Sequence, residues 1–455
     1  MITKLLGGAV AAFTTQQHPG HLLEGDAALD WLQGGGLRYA TISVKTGAAT
    51  GFGPQGIAAV SELTRAIRRA SPRYQRGIGH AALAEAIARL VIAQSGTVPA
   101  TSISDEAAAA FEAALATWFD KEAVPRRHFI PCSLLPDRAA PLAVGPVTFV
   151  HAADFRAHPL GVAAADHVLA ELGLGNLQRA MAERAAAWLA IVEIDGCHPS
   201  RSLELADLSV DVAIAALQLV IPKNFSEGMA RITGRTLPPW RGDLSLVAGQ
   251  LKPGSTNLQP GRTLSGAAFS AMLAGAAPLI AAAGHCLTAF VTGQGALPKL
   301  QQAWCDAAYW FHEGLVEPLD TVAAAKLETT VEVLLRAEST KGSSDRMRQA
   351  IQAVAGLTRK EPIAPGSAVT VDRFVTWLVG ARSQVLHGTL STLMAELGPE
   401  RGSLTAFAHT LLVAFALQLA GYASAMAPTD EIGALLAWIE AQQSPALPPG
   451  PCASG

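Results

Sequence analysis

The stretch Val371–Gly388, VDRFVTWLVGARSQVLHG, decides how the rest of the chain is read. Phe374, Trp377 and Leu378 recur at helical spacing, so the segment predicts a helix with one apolar face against a core. Arg382 and His387 fall late in the same pattern. On both sides lie further segments of helical period: LQQAWCDAAYWFHEGL from Leu300, VAAAKLETTVEVLLRAE from Val322, DRMRQAIQAVAGL from Asp345 and LTAFAHTLLVAFALQLAGYASAM from Leu404. The pattern that starts at Val371 continues through TLSTLMAEL to Leu397. Several long helices joined by short polar turns describe a bundle, expected over 296–428, with a C-terminal helix and flexible tail over 429–455.

Toward the N-terminus the texture changes. KPGSTNLQPGRTLSG (252–266) reads as a loop because Pro, Gly and Asn dominate it. Before it, RHFIPCSLL, VGPVTFVH and WLAIVEID are rich in β-branched and aromatic residues and are bounded by Pro, Gly or Asp, so they predict short strands. LADLSVDVAIAALQLVI predicts a helix, and MARITGR and LSLVAGQL add two candidate strands. A mixed region over 126–295 follows. Over 1–125 the segments GIAAVSELTRAIRRA, HAALAEAIARLVIAQ and DEAAAAFEAALATWFDK predict helices, the last opening behind Ser102 and Ser104 with Asp105 and Glu106 in its first turn. The expected fold is mixed and mostly α, a C-terminal helical bundle preceded by an α/β or α+β region.

Composition narrows the function classes. Half of the 455 residues are hydrophobic and 16% are charged, but alanine supplies much of the apolar excess. Two uncharged stretches, Thr263–Pro298 and Gly402–Thr429, are long enough to cross about 30 Å of hydrocarbon. Both carry Gly, His or Gln and lack a Trp/Tyr belt, so they predict buried core helices, with a cytoplasmic location and no membrane contact. The N-terminal MITKLLGGAVAAF has one lysine and no convincing cleavage site for a signal. Five scattered cysteines, Cys132, Cys197, Cys286, Cys305 and Cys452, form no CxxC pair and suggest neither a disulfide scaffold nor a zinc cluster. A net charge of -3 gives no global pull on nucleic acid, so any such contact needs a local basic patch.

The arginine and histidine of RSQVLHG (Arg382–Gly388), separated by four residues on a helix, resemble the signature of the HEPN superfamily, and the RS…HG wording resembles its Apea-like branch. AKLETTVEVLL, with Glu328 two elements upstream, is similar to the acidic helix of those domains. The resemblance covers roughly residues 300–425. It implies a helical domain, a homodimer that brings two motifs together across a cleft, RNA as the partner, no cofactor and no metal, and the work of a toxin or phage-defence effector.

The residue types suit RNA cleavage on their own terms. RNA carries its nucleophile, the 2′-hydroxyl. A histidine titrates near neutral pH and can move a proton, and a guanidinium offers planar donors to phosphate oxygens as charge grows on them. Five residues along a helix turn about 140°, so Arg382 and His387 do not stack. Ser383 lies one turn from His387 and is placed to orient it. Glu328 reads more as a structural partner of Arg382 than as a proton carrier. Arg336, Lys341, Arg346, Arg348, Arg359 and Lys360 make the best local basic patch, with Lys341, Arg346 and Arg348 as candidate RNA contacts, although a solvated loop is the commoner explanation of such a run.

Other features carry less. His18 and His21 suggest half a metal site without its partners, Gly34–Gly36 a flexible turn, and Tyr309 and His312 packing and surface solvation. Cys197–His198 lacks an acid and an oxyanion loop. GxSxG, HExxH and Walker A patterns are absent from the sequence. Three classes stay open: an endoribonuclease, a non-catalytic RNA-docking or dimerisation module, and a membrane-embedded helical protein.

Overall fold

Burial decides the strand order. Within Trp188–Ile194 the side chains of Trp188, Ala190, Val192 and Ile194 are all buried, and on the other face burial fades from Leu189 through Ile191 to the exposed Glu193. In the computed structural model this strand, β7, is central in a five-stranded sheet of order β5-β6-β7-β4-β8. The structure describes residues 2–17, 38–42, 48–95, 103–155, 167–232, 240–336, 340–364, 366–387, 389, 391–393, 395 and 398–443. The chain forms two compact units, residues 1–126 with 194–204, and residues 127–193 with 205–455. The boundary expected near 295 falls inside the second unit.

The first unit holds α1 (Ile2–Ala11), β1 (Phe13–Gln17), β2 (Arg38–Ile42), β3 (Ala48–Phe52), α2 (Pro54–Ala70), α3 (Pro72–Gly77), α4 (His80–Ser95) and α5 (Asp105–Glu122). The three strands pair antiparallel in the order β1-β3-β2. That sheet corrects the all-helical expectation for this region: its strands are five residues each and rich in Thr, Gln, Ala and Gly, so no alternation announces them. The helices follow their signals. Pro54 and Pro72 stand in first turns where no N–H is needed, and Ser104 accepts a hydrogen bond from the Ala107 N–H at the head of α5. Leu6, Phe52, Leu63, Ile78, Ile87, Phe111 and Phe119 share one core.

In the second unit, β4 (Arg126–Ser133), β5 (Leu142–Val144), β6 (Val147–His151) and β7 occupy the segments expected as strands, and β8 (Ala230–Arg231) pairs antiparallel with β4. The longer helices between them are α6 (His167–Glu183) and α7 (Pro199–Gln218), the latter running out of the first unit into the second. LSLVAGQL is not one strand but two. The chain reverses at Ala248 and Gly249, both at positive φ, and β9 (Trp240–Val247) pairs in full register with β10 (Gln250–Asn257). The first part of the expected loop, KPGSTN, is therefore strand: the ladder of backbone bonds overrides its poor strand propensity.

The C-terminal half is helical: α8 (Gly266–Gly275), α9 (Ala277–Thr292), α10 (Pro298–Leu315), α11 (Asp320–Leu334), α12 (Thr340–Ala355), α13 (Val371–Leu386), α14 (Gly398–Tyr422) and α15 (Ile432–Gln443). α8 and α9 meet at 78°, so Thr263–Pro298 is bent rather than one straight span. α14 is long and apolar enough to cross a membrane, but Leu404, Leu411, Leu412, Phe415 and Leu419 face the protein and are buried. The fully buried Trp304 of α10 donates to the Leu412 carbonyl at 3.0 Å, tying the two helices. Gly145, at φ 55° in the β5–β6 turn, lies against Gly284 of α9; a Cβ at 145 would sit 2.4 Å from the Gly284 oxygen. α13 stops at Leu386 and does not continue through TLSTLMAEL. His387 caps it, donating its N–H to the Ser383 and Val385 carbonyls.

Candidate functional site

α11 and α13 pack side by side, and that contact sets the surroundings of Arg382. Glu328 and Glu332 are one turn apart on α11 and share a face. Both reach Arg382: its Nε lies 3.1 Å from Glu328 Oε2, and its Nη1 pairs with Glu332. The Glu328 side chain is 1% exposed, Glu332 17% and Arg382 32%. Burial, reinforced by the Glu332 charge and opposed by Arg382, pushes the Glu328 carboxyl up to about 8. At neutral pH Glu328 is then mostly protonated, and the trio carries little net charge. The structural role expected for Glu328 matches this geometry. Glu332 is the member that sequence reasoning missed, although its spacing of four from Glu328 was a signal.

His387 is exposed at the end of α13, its ring in solvent. The turn behind it is closed by Thr389, whose N–H and hydroxyl both donate to the Gln384 carbonyl at 3.0 and 3.1 Å. Ser383 is linked to His387 through the backbone, carbonyl to N–H at 3.0 Å. The helix thus carries a positioned cation on the flank that faces α11 and an accessible imidazole at its end.

The basic patch is largely paired with its own neighbours. Arg348, 14% exposed, lies 2.8 Å from Asp372 and 3.4 Å from Asp345, and Arg359 also reaches Asp345. Arg346 Nη1 donates to Gln349, and Arg336 Nη1 to the Lys299 carbonyl. Lys341 stands in α12; its side chain lies outside the described residues. His18, His21, Gly34–Gly36, Gly388 and the tail from Ser444, with Cys452, lie outside them too.

A second polar cluster is buried deeper. Arg231 of β8 holds Asp211 of α7 through Nε at 2.9 and 3.0 Å and Asp207 through Nη1 at 3.1 Å. Burial outweighs Arg231 and raises Asp211 to about 6. His312 is not a surface residue: it is 4% exposed, and its Nδ1 lies 3.0 Å from Gln218 Oε1. Burial lowers it to about 4, so the ring is neutral and Nδ1 is the donor. Gln218 in turn donates to the Ser226 carbonyl at 2.8 Å. These bonds join α7, α10 and the chain before β8 and leave the ring no solvent access. Cys197 is buried, and that burial pushes its thiol up, away from nucleophile chemistry. Among the described residues no three His, Cys, Asp or Glu side chains converge as a metal site would require.

No family model, no curated protein and no solved structure matches this chain. What the fold defines is an α+β protein, mostly helical, with an antiparallel five-stranded sheet in its N-terminal half and helices in its C-terminal half. What the site defines is an arginine held between two acids on a neighbouring helix and an exposed histidine that ends its own.

Proposed function

We propose that the chain is an endoribonuclease in which His387 transfers protons and Arg382 stabilises charge on the scissile phosphate, with no metal taking part. The observation that carries the reading is the pairing of an exposed His387 with an Arg382 fixed by Glu328 and Glu332 on the same stretch of α13. A fixed guanidinium loses little freedom when it meets a phosphate, and its charge does not titrate in the working range. No described residue bonds its Nη2, which is the edge left for a phosphate oxygen. The roughly 140° between the two positions favours a site completed by a second copy, so the reading includes a homodimer, with toxin or defence work as its setting.

A second reading has its own observation. Two of the three Arg382 nitrogens face acids, as they would if the residue served only to join α11 to α13, and the domain would then dock RNA or dimerise without cutting.

His387→Ala separates the two, because an exposed helix cap can be removed without opening the core. Mixed cellular RNA is incubated in EDTA with wild type, His387→Ala and Arg382→Lys, after equal helicity and sedimentation are confirmed. Cleavage falls by about 10²-fold or more in His387→Ala, DNA survives, and products end in 2′,3′-cyclic phosphate. RNA binding without cleavage by the wild type selects the docking reading.

A further inference from the structure

The first unit holds a group of cations that nothing above uses. Five arginines, Arg65, Arg68, Arg69, Arg73 and Arg76, fall within twelve residues. α2 sets Arg65, Arg68 and Arg69 at i, i+3 and i+4 on one face, while Leu63, Ala66 and Ile67 turn into the core. Ser71 ends that helix, α3 brings Arg76 round the corner, and His80 opens α4 beside them.

Short bonds hold the group together. Arg65 Nη2 donates to Ser61 Oγ at 3.2 Å, and the same hydroxyl lies 3.1 Å from His80 Nε2. Arg68 Nη2 donates to the Gln75 carbonyl at 3.1 Å, and Arg69 Nε to the Arg65 carbonyl at 3.3 Å. Burial, Arg68 and Arg65 together lower the His80 pKa, a mark of local positive potential. Arg73 is paired with Asp120. Among the described residues Arg65, Arg68, Arg69 and Arg76 have no carboxylate partner.

Position at a helix end explains part of this, since cations favour the C-terminal turn. It does not explain the donors. Arg76 lies beside the Cys197 thiol, yet among the described residues its Nε and Nη2, like Arg68 Nε, are enclosed and have no hydrogen-bond partner, an arrangement that costs free energy unless an acceptor comes from outside. Guanidinium forks match phosphate oxygens, and a row of them matches a phosphodiester chain. A lipid surface fits less well, because the large apolar side chains exposed among the described residues of this unit, Val124 and Leu203, lie on neither α2 nor α3.

We propose that Arg65, Arg68, Arg69 and Arg76 form a docking site for the phosphate backbone of single-stranded RNA; the identity of the polymer, though not the anion site, rests on the ribonuclease reading. The site feeds the chain's substrate by charge and carries no base specificity.

The test uses full-length His387→Ala protein, so that RNA stays intact, and fluorescence anisotropy of a labelled single-stranded RNA across a salt series. Arg65→Gln/Arg68→Gln/Arg69→Gln weakens binding by about 10-fold or more near 0.1 M salt and makes the slope of log affinity against log salt shallower by about 2. Arg69→Gln, an exposed change that spares the fold, makes it shallower by about 0.7. Unchanged affinity and slope in both variants, with unchanged thermal unfolding, overturn the site, as does binding to phosphatidylserine vesicles without binding to RNA. The two readings fail separately. RNA held by these arginines but never cut by the wild type removes the ribonuclease and keeps the site, whereas His387-dependent cleavage with normal binding by the triple variant does the reverse.

Discussion

Arg382 and Arg68 are the same side chain in opposite company. Arg382 sits between two carboxylates of α11, one of them almost wholly enclosed, while Arg68 is surrounded by arginines, a histidine and a backbone carbonyl. The first has its strongest bonds inside the protein and acts on anything else from a fixed position. The second has an enclosed Nε and, among the described residues, no acid. The availability of a charge is therefore set by the acids that neighbouring elements bring, and a count of basic residues says little about it. The patch around Arg348 repeats the lesson: Asp345 and Asp372 neutralise it from within.

The largest expected effect breaks that comparison by energy. Arg382→Ala removes the charged partner that joins Glu328 and Glu332 to α13 and should lower unfolding free energy by about 2 kcal/mol, whereas Arg69→Ala should change it by less than about 0.5 kcal/mol. Urea denaturation of both variants at pH 7 measures the difference; equal losses would mean that the acids do not distinguish the two settings.

pH sharpens it next. Glu328 has a folded pKa of about 8, above the ordinary carboxylate value, so the folded state holds a proton that the unfolded chain has already released. Stability must then fall as pH rises toward 8. Below pH 6.5 two other groups intrude: His312, lowered to about 4, makes stability rise with pH, while Asp211, raised to about 6, opposes it. The clean window is pH 6.5–8, where wild type should lose on the order of 1–2 kcal/mol and Glu328→Gln should stay flat. A variant that slopes like wild type would place the proton elsewhere.

The smallest effect concerns Glu332. Its charge helps to raise Glu328, so Glu332→Gln should move the same loss of stability to lower pH. Thermal unfolding across the pH series reads the shift, and an unmoved window would show that burial alone raises Glu328.

Much of this was legible before folding. Val147–His151 and Trp188–Ile194 are strands for the reason their β-branched and aromatic content suggests, and Ser104 caps α5 as its place ahead of two acids implies. The hairpin was half legible: Leu244–Val247 looked like strand, but the turn is Ala-Gly rather than Asn-Gly, and KPGSTN is held in β10 by its partner. His312 was misplaced because its acceptor, Gln218, is 94 residues away. The arginines on α2 passed unnoticed inside a pattern read only for its apolar face.

The sequence by itself determined most of the helices and the strands Val147–His151 and Trp188–Ile194, and that Arg382 and His387 lie about 140° apart around one helix, because period and caps are local properties of the chain. Tertiary structure alone decided that Arg382 meets Glu332 as well as Glu328, that His387 stays in solvent, and that Arg68 meets no acid among the described residues. Those outcomes depend on which helix faces which, and the environment of a charge is fixed by residues distant in sequence that packing brings within a few ångströms.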